Sequence, residues 1–220
     1  MNAEKPIDIL FTVWYNINQM SKRFFISDLH FNGTVLVEKH LRPFKTVDRM
    51  NEILIKNINQ RCQKDDILIH IGDFCQYGND RIWDGEKTNP SYFMDQINPT
   101  VVNIQGNHDL NNRVKSVCNS MRITMGKFKA VSLSHFPSFD PRAKGSFLPG
   151  DVHIHGHNHN GPIFTIDKKN QVLNVNVCCD LWKYNPISEQ ELISKIEQFM
   201  RFKTMEHKKL YNNKVTETNN

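Results

Sequence analysis

Cysteine is scarce in this 220-residue chain, and its five copies form no C-x-x-C pair. The odd set Cys62, Cys75, Cys118, Cys178 and Cys179 argues against a disulfide framework, and the expected setting is a reducing, cytoplasmic one. Long hydrophobic runs are missing too: none approaches the ~20 residues that cross a bilayer. The early stretch IDILFTVWY (7–15) contains Asp8, follows Glu4 and runs into NINQM instead of a small-residue cleavage site, so it does not read as a signal peptide. Nothing in the middle has the composition of a linker or a low-complexity tract. One folded domain over 20–200 is expected, with 1–19 an N-terminal extension and 201–220 a basic C-terminal tail. A strong excess of one charge is also lacking. The formal net charge is +5, and residues 201–220 hold +3 of it through Arg201, Lys203, Lys208, Lys209 and Lys214 against Glu206 and Glu217. Such a short basic tail reads as a solvated end before it reads as a nucleic-acid-binding arm.

What the chain does have is a repeated plan. RFFIS (23–27), DILIHIGDF (66–74), TVVNIQGNHD (100–109), KAVSLSHFP (129–137) and DVHIHGHNH (151–159) are each an apolar run that ends in His, Asp or Asn. Each reads as a strand delivering a polar loop at its carboxyl end. Between the first two, TVDRMNEILIKNINQRC (46–62) places Met50, Ile53, Leu54 and Ile58 at helical spacing behind a Thr46 cap. PIFTIDKKNQVLNVNV (162–177) reads as a hairpin. A last helix follows, with Ser188 and Glu191 as a capping box and an apolar face of Leu192, Ile196, Phe199 and Met200. Early alternation of strands and helices with hairpins later predicts an α/β fold whose sheets are covered by helices, and in such folds ligands gather outside the carboxyl ends of strands.

The five loops read SDLH (27–30), GD (72–73), GNHD (106–109), SHFP (134–137) and GHNH (156–159). Carboxylates, an amide and neutral imidazoles are donors suited to Mn²⁺, Fe or Zn²⁺, and no thiolate is required. Taken singly these motifs are weak, and a lone His at a strand end is more often a hydrogen-bonded loop residue than a ligand. The run HIHGHNHNG (153–161) is ambiguous by spacing alone: its four imidazoles read as four ligands, as a charged surface strand, or as two ligands and two bystanders. Gly106 and Gly156 are expected to permit the tight turns that point successive side chains into one space. The combination, in this order and each after an apolar run, is the context a motif needs.

D-x-H, G-D, G-N-H-D, S-H-x-P and G-H-x-H in that order resemble the calcineurin-like metallophosphoesterase superfamily over about Phe24 to Val177. The later LNVNVCCDLWKYNPIS (173–188) is similar to its small bacterial and phage branch. The resemblance implies a β-sandwich flanked by helices in α/β/β/α layers, and two divalent metal ions, Mn²⁺ first, with Fe, Zn²⁺, Ni²⁺ and Co²⁺ as alternatives. It further implies that Asp28, His30 and His159 hold one ion and Asn107, His135 and His157 the other, with Asp73 bridging. His153 and His155 are then strand residues, or residues orienting a ligand from behind. His108 is left to protonate the leaving group during in-line attack by metal-bound hydroxide.

The second motif continues as GDFCQYG, without the Asp-Arg pair and the GNHE of the protein phosphatases, which argues against that role. The expected substrate is a small phosphoester such as a nucleotide, hydrolysed as a phosphodiester. A nuclease, or a scaffold that keeps the fold without the chemistry, is the alternative, and no membrane partner is implied. A metallo-β-lactamase-like reading of His153-x-His155 leaves GNHD unexplained. Asn107 and His108 are expected to touch substrate, and Arg81, Trp83, Arg142 and Lys144 are loop candidates for gripping a phosphate or stacking a base. Cys75, two residues after Asp73, reads as a packing residue.

Overall fold

The computed structural model describes residues 21–76 and 89–217, the last twelve of these by backbone alone. The extension over 1–19 and the candidates Arg81 and Trp83 therefore lie outside the described residues. Two sheets form. One carries β1 (Arg23–Ile26), β2 (Ile67–Ile71), β3 (Thr100–Ile104) and the short β9 (Ile187–Ser188), in the order β3-β2-β1-β9. Its first three strands run parallel. A parallel sheet is covered on both faces, which is why RFFI and ILIHI are near-continuous apolar runs. Phe24, Ile26 and Leu68 pack on one side against Met50, Leu54 and Ile58 of helix α2 (Val47–Arg61), while Phe25, Ile69 and Ile71 point into the space between the sheets. Helix α2 starts where Thr46 accepts the backbone N–H of Arg49.

The second sheet contains β4 (Ser120–Met125), β5 (Phe128–Ser134), β6 (Val152–His155), β7 (Phe164–Asp167) and β8 (Val172–Asn176), ordered β4-β5-β6-β8-β7. Its period of two is clean. Val131, Leu133, Val152, Ile154 and Val175 face the first sheet, and Ser132, Ser134, His153, His155, Asn174 and Asn176 face the other way yet are buried. These polar residues tie down the segment after β5. Asn174 accepts the N–H of Ser138 at 2.8 Å, and the Ser138 hydroxyl donates to Asp167 at 2.8 Å.

Short helices α1 (Thr34–Glu38) and α3 (Pro90–Met94) complete the first layer, α3 stacking Phe93 on Phe31. The last helix, α4 (Glu189–Glu217), opens with the predicted reciprocal cap, Ser188 N–H to Glu191 at 3.0 Å and Glu191 N–H to the Ser188 hydroxyl at 3.3 Å. Leu192, Ile193 and Ile196 join the core between the sheets, and Phe199 stacks on Phe164. Met200, assigned by spacing to the buried face, is exposed, because the helix has by then passed the edge of the sandwich. The backbone stays helical to Glu217, through most of the stretch set apart in the sequence as a tail. None of the helices among the described residues is long and apolar enough to cross a membrane. Cys75 is buried in the core under α2, where burial pushes its thiol up to about 12.

Candidate metal centre

Strands β1, β2 and β3 of one sheet and β5, β6 and β8 of the other end at the same rim, and the polar loops that follow them meet there. Adjacent loops are stitched by backbone bonds: Asp28 N–H to Gly72 O and His30 N–H to Asp73 O, both 2.9 Å. Asp28, His30, Asp73 and His157 all sit in the left-handed region, with φ of 58°, 47°, 61° and 69°. For residues other than glycine this conformation is uncommon and held only by its surroundings, a pattern concentrated at functional sites.

The side chains converge in two overlapping groups. Asp28, His30 and Asp73 bring one donor atom each within 4.8 Å of the others, and so do Asp73, His135 and His157. Asp73 belongs to both. In the first group the His30 Nε2 lies 3.7 Å from Asp73 and 3.3 Å from the Nε2 of His159, which is itself 3.6 Å from Asp28. In the second, the His135 Nε2 lies 3.3 Å from Asp73 and 3.0 Å from the Asn107 Oδ1. Every residue named from the sequence as a ligand is thus at this rim. His108 stands at the mouth, half-exposed, its backbone N–H on Asp73 at 2.8 Å and its Nε2 3.9 Å from the same carboxylate. Arg142 reaches the second group, with Nη2 at 3.1 Å from the His157 Nε2, a bidentate pair to Asp140, and its guanidinium 4.2 Å over the Phe136 ring.

Charge at the rim fits a cation. Burial would raise the pKa of Asp28, but the imidazoles of His135, His159 and His30 outweigh it and hold the carboxyl below its ordinary value. Asp73 is likewise held down, burial being overcome chiefly by its bond to His135. His135 answers in kind: burial disfavours its charge, and Asp73 and Asp28 reverse this, pushing it up to about 9. Its Nδ1 is committed to the Ile71 carbonyl at 2.9 Å. The imidazolium therefore sets a positive charge against Asp73, where a cation held by Asp73, Asn107 and His135 would put one. His30, for which burial dominates, is pushed down to about 3 and offers a neutral ring.

Three residues that the sequence did not single out build the support. Asp109, the last residue of GNHD, is fully buried and accepts the backbone N–H groups of Asp73, Phe74 and Gly106 at 3.0, 2.9 and 2.7 Å, locking the GD and GNHD loops together. Asp180, in the 3₁₀ turn Cys179–Trp182 after β8, accepts from the His159 Nδ1 at 2.9 Å. Burial resists charge on His159, and that bond with the nearby carboxylates raises its pKa regardless. With Nδ1 donating, the Nε2 lone pair faces Asp28 and His30, the carboxylate-imidazole arrangement that orients metal-binding histidines. Behind Asp180 lies Arg42, 2% exposed, with a bidentate hold on it at 2.9 and 2.8 Å and further bonds to the carbonyls of Leu29 (2.8 Å) and Asp28 (2.6 Å). One buried cation thus joins the DLH loop to the carboxylate behind His159. Asp180 had a signal, since NVNVCCD is a sixth apolar run ending in a carboxylate. Arg42 had none.

Gly106 and Gly156 permit the turns without a positive φ; in GHNH the left-handed residue is His157. The glycines supply clearance instead, because a Cβ at Gly106 would collide with Asp73 and one at Gly156 with Ser27 and Asp28. A cysteine also comes close: the Cys178 sulfur groups with Asp28 and His159. Burial, followed by its hydrogen-bonded neighbour Cys179, pushes this thiol well above its ordinary value, and it donates to Asp180 at 3.3 Å, so it stays a protonated neighbour. His153 and His155 are buried on the outer face of β6. His153 reaches the Phe136 carbonyl at 2.9 Å, and His155 the Gly156 carbonyl at 2.7 Å.

Comparison with known proteins agrees with this geometry. The family profile described as "Calcineurin-like phosphoesterase" matches residues 22–216. The chain is 29% identical over 180 residues to an uncharacterized protein of Methanocaldococcus jannaschii, covering 81% of this chain and 93% of that one. In fold it resembles the crystal structure of a protein of unknown function from Aquifex aeolicus, with a TM-score of 0.59 and 24% identity over 79% of this chain and 98% of the other. A more distant likeness is to the nuclease MPE of Pseudomonas putida, with a TM-score of 0.40 and 18% identity over 71% and 78% of the two chains.

Proposed function

The chain belongs to the calcineurin-like phosphoesterase family, and from that premise we propose that it is a phosphodiesterase acting on a nucleotide-like phosphoester with Mn²⁺ as its working metal. The observation that carries the reading is the double membership of Asp73, whose carboxylate is shared by two groups of donors. Two divalent ions held there would supply an activated water and a clamp on the phosphoryl oxygens. Asp28, His30 and His159 would hold one and Asn107, His135 and His157 the other.

The chain's own residues complete the chemistry. His108 is the exposed imidazole at the mouth, tied by its backbone to Asp73 and with no assigned metal, so its ring is positioned to hand a proton to a departing oxygen. A diester is favoured on charge. At the phosphate being cleaved a monoester dianion asks for more positive charge than a diester monoanion, and Arg42, the buried arginine behind the rim, is committed to Asp180. The donor set of carboxylate, amide and imidazole suits Mn²⁺.

The test is hydrolysis of bis(p-nitrophenyl) phosphate and of p-nitrophenyl phosphate by protein stripped with chelator and reloaded with Mn²⁺, Zn²⁺, Ni²⁺ or Co²⁺. Activity should vanish on stripping, return best with Mn²⁺, and be at least as great on the diester. Full activity in metal-free protein would sink the metal assignment, and a strong monoester preference the substrate class.

A further inference from the structure

A groove of about 210 Å³ opens beside the second group of ligands, lined by Gln105, Asn107, Asn119, Phe136, Arg142 and Lys144 and by no carboxylate. Lys144 is exposed and has no ion-pair partner among the described residues. Arg142 is held at two points. Asp140 pins the guanidinium through Nε and Nη2, and Nη2 also reaches the His157 Nε2. Arginine is always a donor, so in that contact the imidazole nitrogen accepts.

That contact and a metal on His157 exclude each other, whichever nitrogen the metal takes. Bound through Nε2, the metal uses the lone pair that Arg142 occupies. Bound through Nδ1, a neutral ring carries its proton on Nε2, which then donates and faces another donor. Loading the second ion therefore frees one Nη2 hydrogen while Asp140 keeps the guanidinium in place. The freed donor lines a groove that also holds Lys144, the amides of Gln105, Asn107 and Asn119, the Ser134 hydroxyl and the His135 imidazole.

We propose that this groove is a subsite for a second phosphate of the substrate, next to the one being cleaved, and that metal loading at His157 delivers Arg142 to it. The inference rests on the phosphodiesterase reading for what occupies the metal rim. It narrows the substrate to compounds with two phosphates in reach of each other, whether joined through a nucleoside sugar as in an oligonucleotide or directly as in a nucleoside polyphosphate. The freed Nη2 hydrogen offers one charge-assisted hydrogen bond to a phosphate oxygen, and Lys144 adds a point charge.

Two measurements test it. Calorimetric titration of Mn²⁺-loaded protein with AMP, adenosine 3′,5′-bisphosphate and ADP should show one of the two-phosphate ligands binding about tenfold or more tightly than AMP, the worth of one charge-assisted hydrogen bond. That ratio should collapse toward one in the Arg142→Ala, Lys144→Ala double variant. A 3′,5′-bisphosphate preference identifies the sugar-linked spacing and an ADP preference the direct one, whereas equal binding of all three, or a ratio untouched by the double variant, overturns the subsite. Separately, Arg142→Ala should bind one of its two Mn²⁺ ions about 3- to 10-fold more tightly than wild type, because the guanidinium no longer competes for His157. Unchanged or weaker metal binding would overturn the delivery step. Neither measurement uses turnover, so a wild-type protein that binds the two-phosphate ligand selectively but cleaves no diester would sink the proposed function alone.

Discussion

At the scale of the residue, Asp180 and His108 separate two ways in which a side chain serves a metal site without being a ligand. Asp180 fixes which nitrogen His159 presents, and Arg42 fixes Asp180. Asp180→Asn keeps the shape and removes the charge, so the affinity of one Mn²⁺ should fall about 10- to 100-fold while the other is retained, the usual cost of losing a carboxylate behind a metal-binding histidine. Activity should return at high Mn²⁺. A variant that melts early and is not rescued by metal would reduce Asp180 to a structural partner of Arg42. His108 is different, since its proposed work is proton transfer. His108→Asn should keep both ions and lose about 10²- to 10⁴-fold on a diester with an alkoxide leaving group, yet appreciably less on a p-nitrophenyl ester, whose phenolate leaves without a proton. Equal losses on both esters would point to stabilisation of transition-state charge.

At the scale of the element, the strands end together and the loops interlock so closely that the backbone of one loop packs directly on the side chains of another. The His157 N–H donates to Asp28 at 3.0 Å across the two sheets, and Gly156 leaves the space for it. Gly156→Ala should therefore displace Asp28, cost about 1–3 kcal/mol of stability as overpacking, and abolish tight metal binding. Calorimetry and a thermal melt read both. An alanine variant with normal melting and two tightly bound ions would show that the sheets separate more easily than their hydrogen bonds suggest. Much of this scale was legible in the chain. RFFI, ILIHI and TVVNI announced strands through apolar runs with β-branched residues, and Thr46 and Ser188 announced helix starts. Strand β4 was not legible, because SMRITM alternates weakly and is held mainly by its pairing with β5. Met200 was misplaced because periodicity reports a face and not how far the partner surface extends.

At the scale of the whole molecule, stability and pH are linked through the buried outer face of the second sheet. Burial pushes His153 down to about 4, and a neutral ring serves its network well, with Nε2 donating to the Phe136 carbonyl and Nδ1 accepting from the Ser132 hydroxyl. The unfolded chain binds this proton near 6.5 and the folded one does not. Unfolding then takes up a proton between these values, so stability is complete above about pH 6.5 and is lost as pH falls toward 4, to the extent of about 3 kcal/mol from this group. His30 adds a loss of the same sign in the metal-free protein. Denaturant unfolding of wild type and His153→Gln from pH 7 to pH 4 isolates the His153 share: the wild type should lose stability more steeply. Parallel curves would mean that His153 stays neutral in both states or charged in both.

The sequence by itself determined which polar side chains would meet at one rim, because each follows an apolar run and so appears at the carboxyl end of a strand. It also determined that two of the four histidines of HIHGHNHNG would be set apart, through the resemblance of GHNH to a family motif. Only the tertiary structure decided why: β6 turns His153 and His155 to the outer face, and the left-handed φ of His157 turns the chain back toward the rim. The tertiary structure alone also decided what holds the donors. Arg42 and Asp180 are 138 positions apart, and Asp73 and Asp109 are 36 apart. A buried ion pair depends on distances across the fold, and no local pattern of residues encodes those distances.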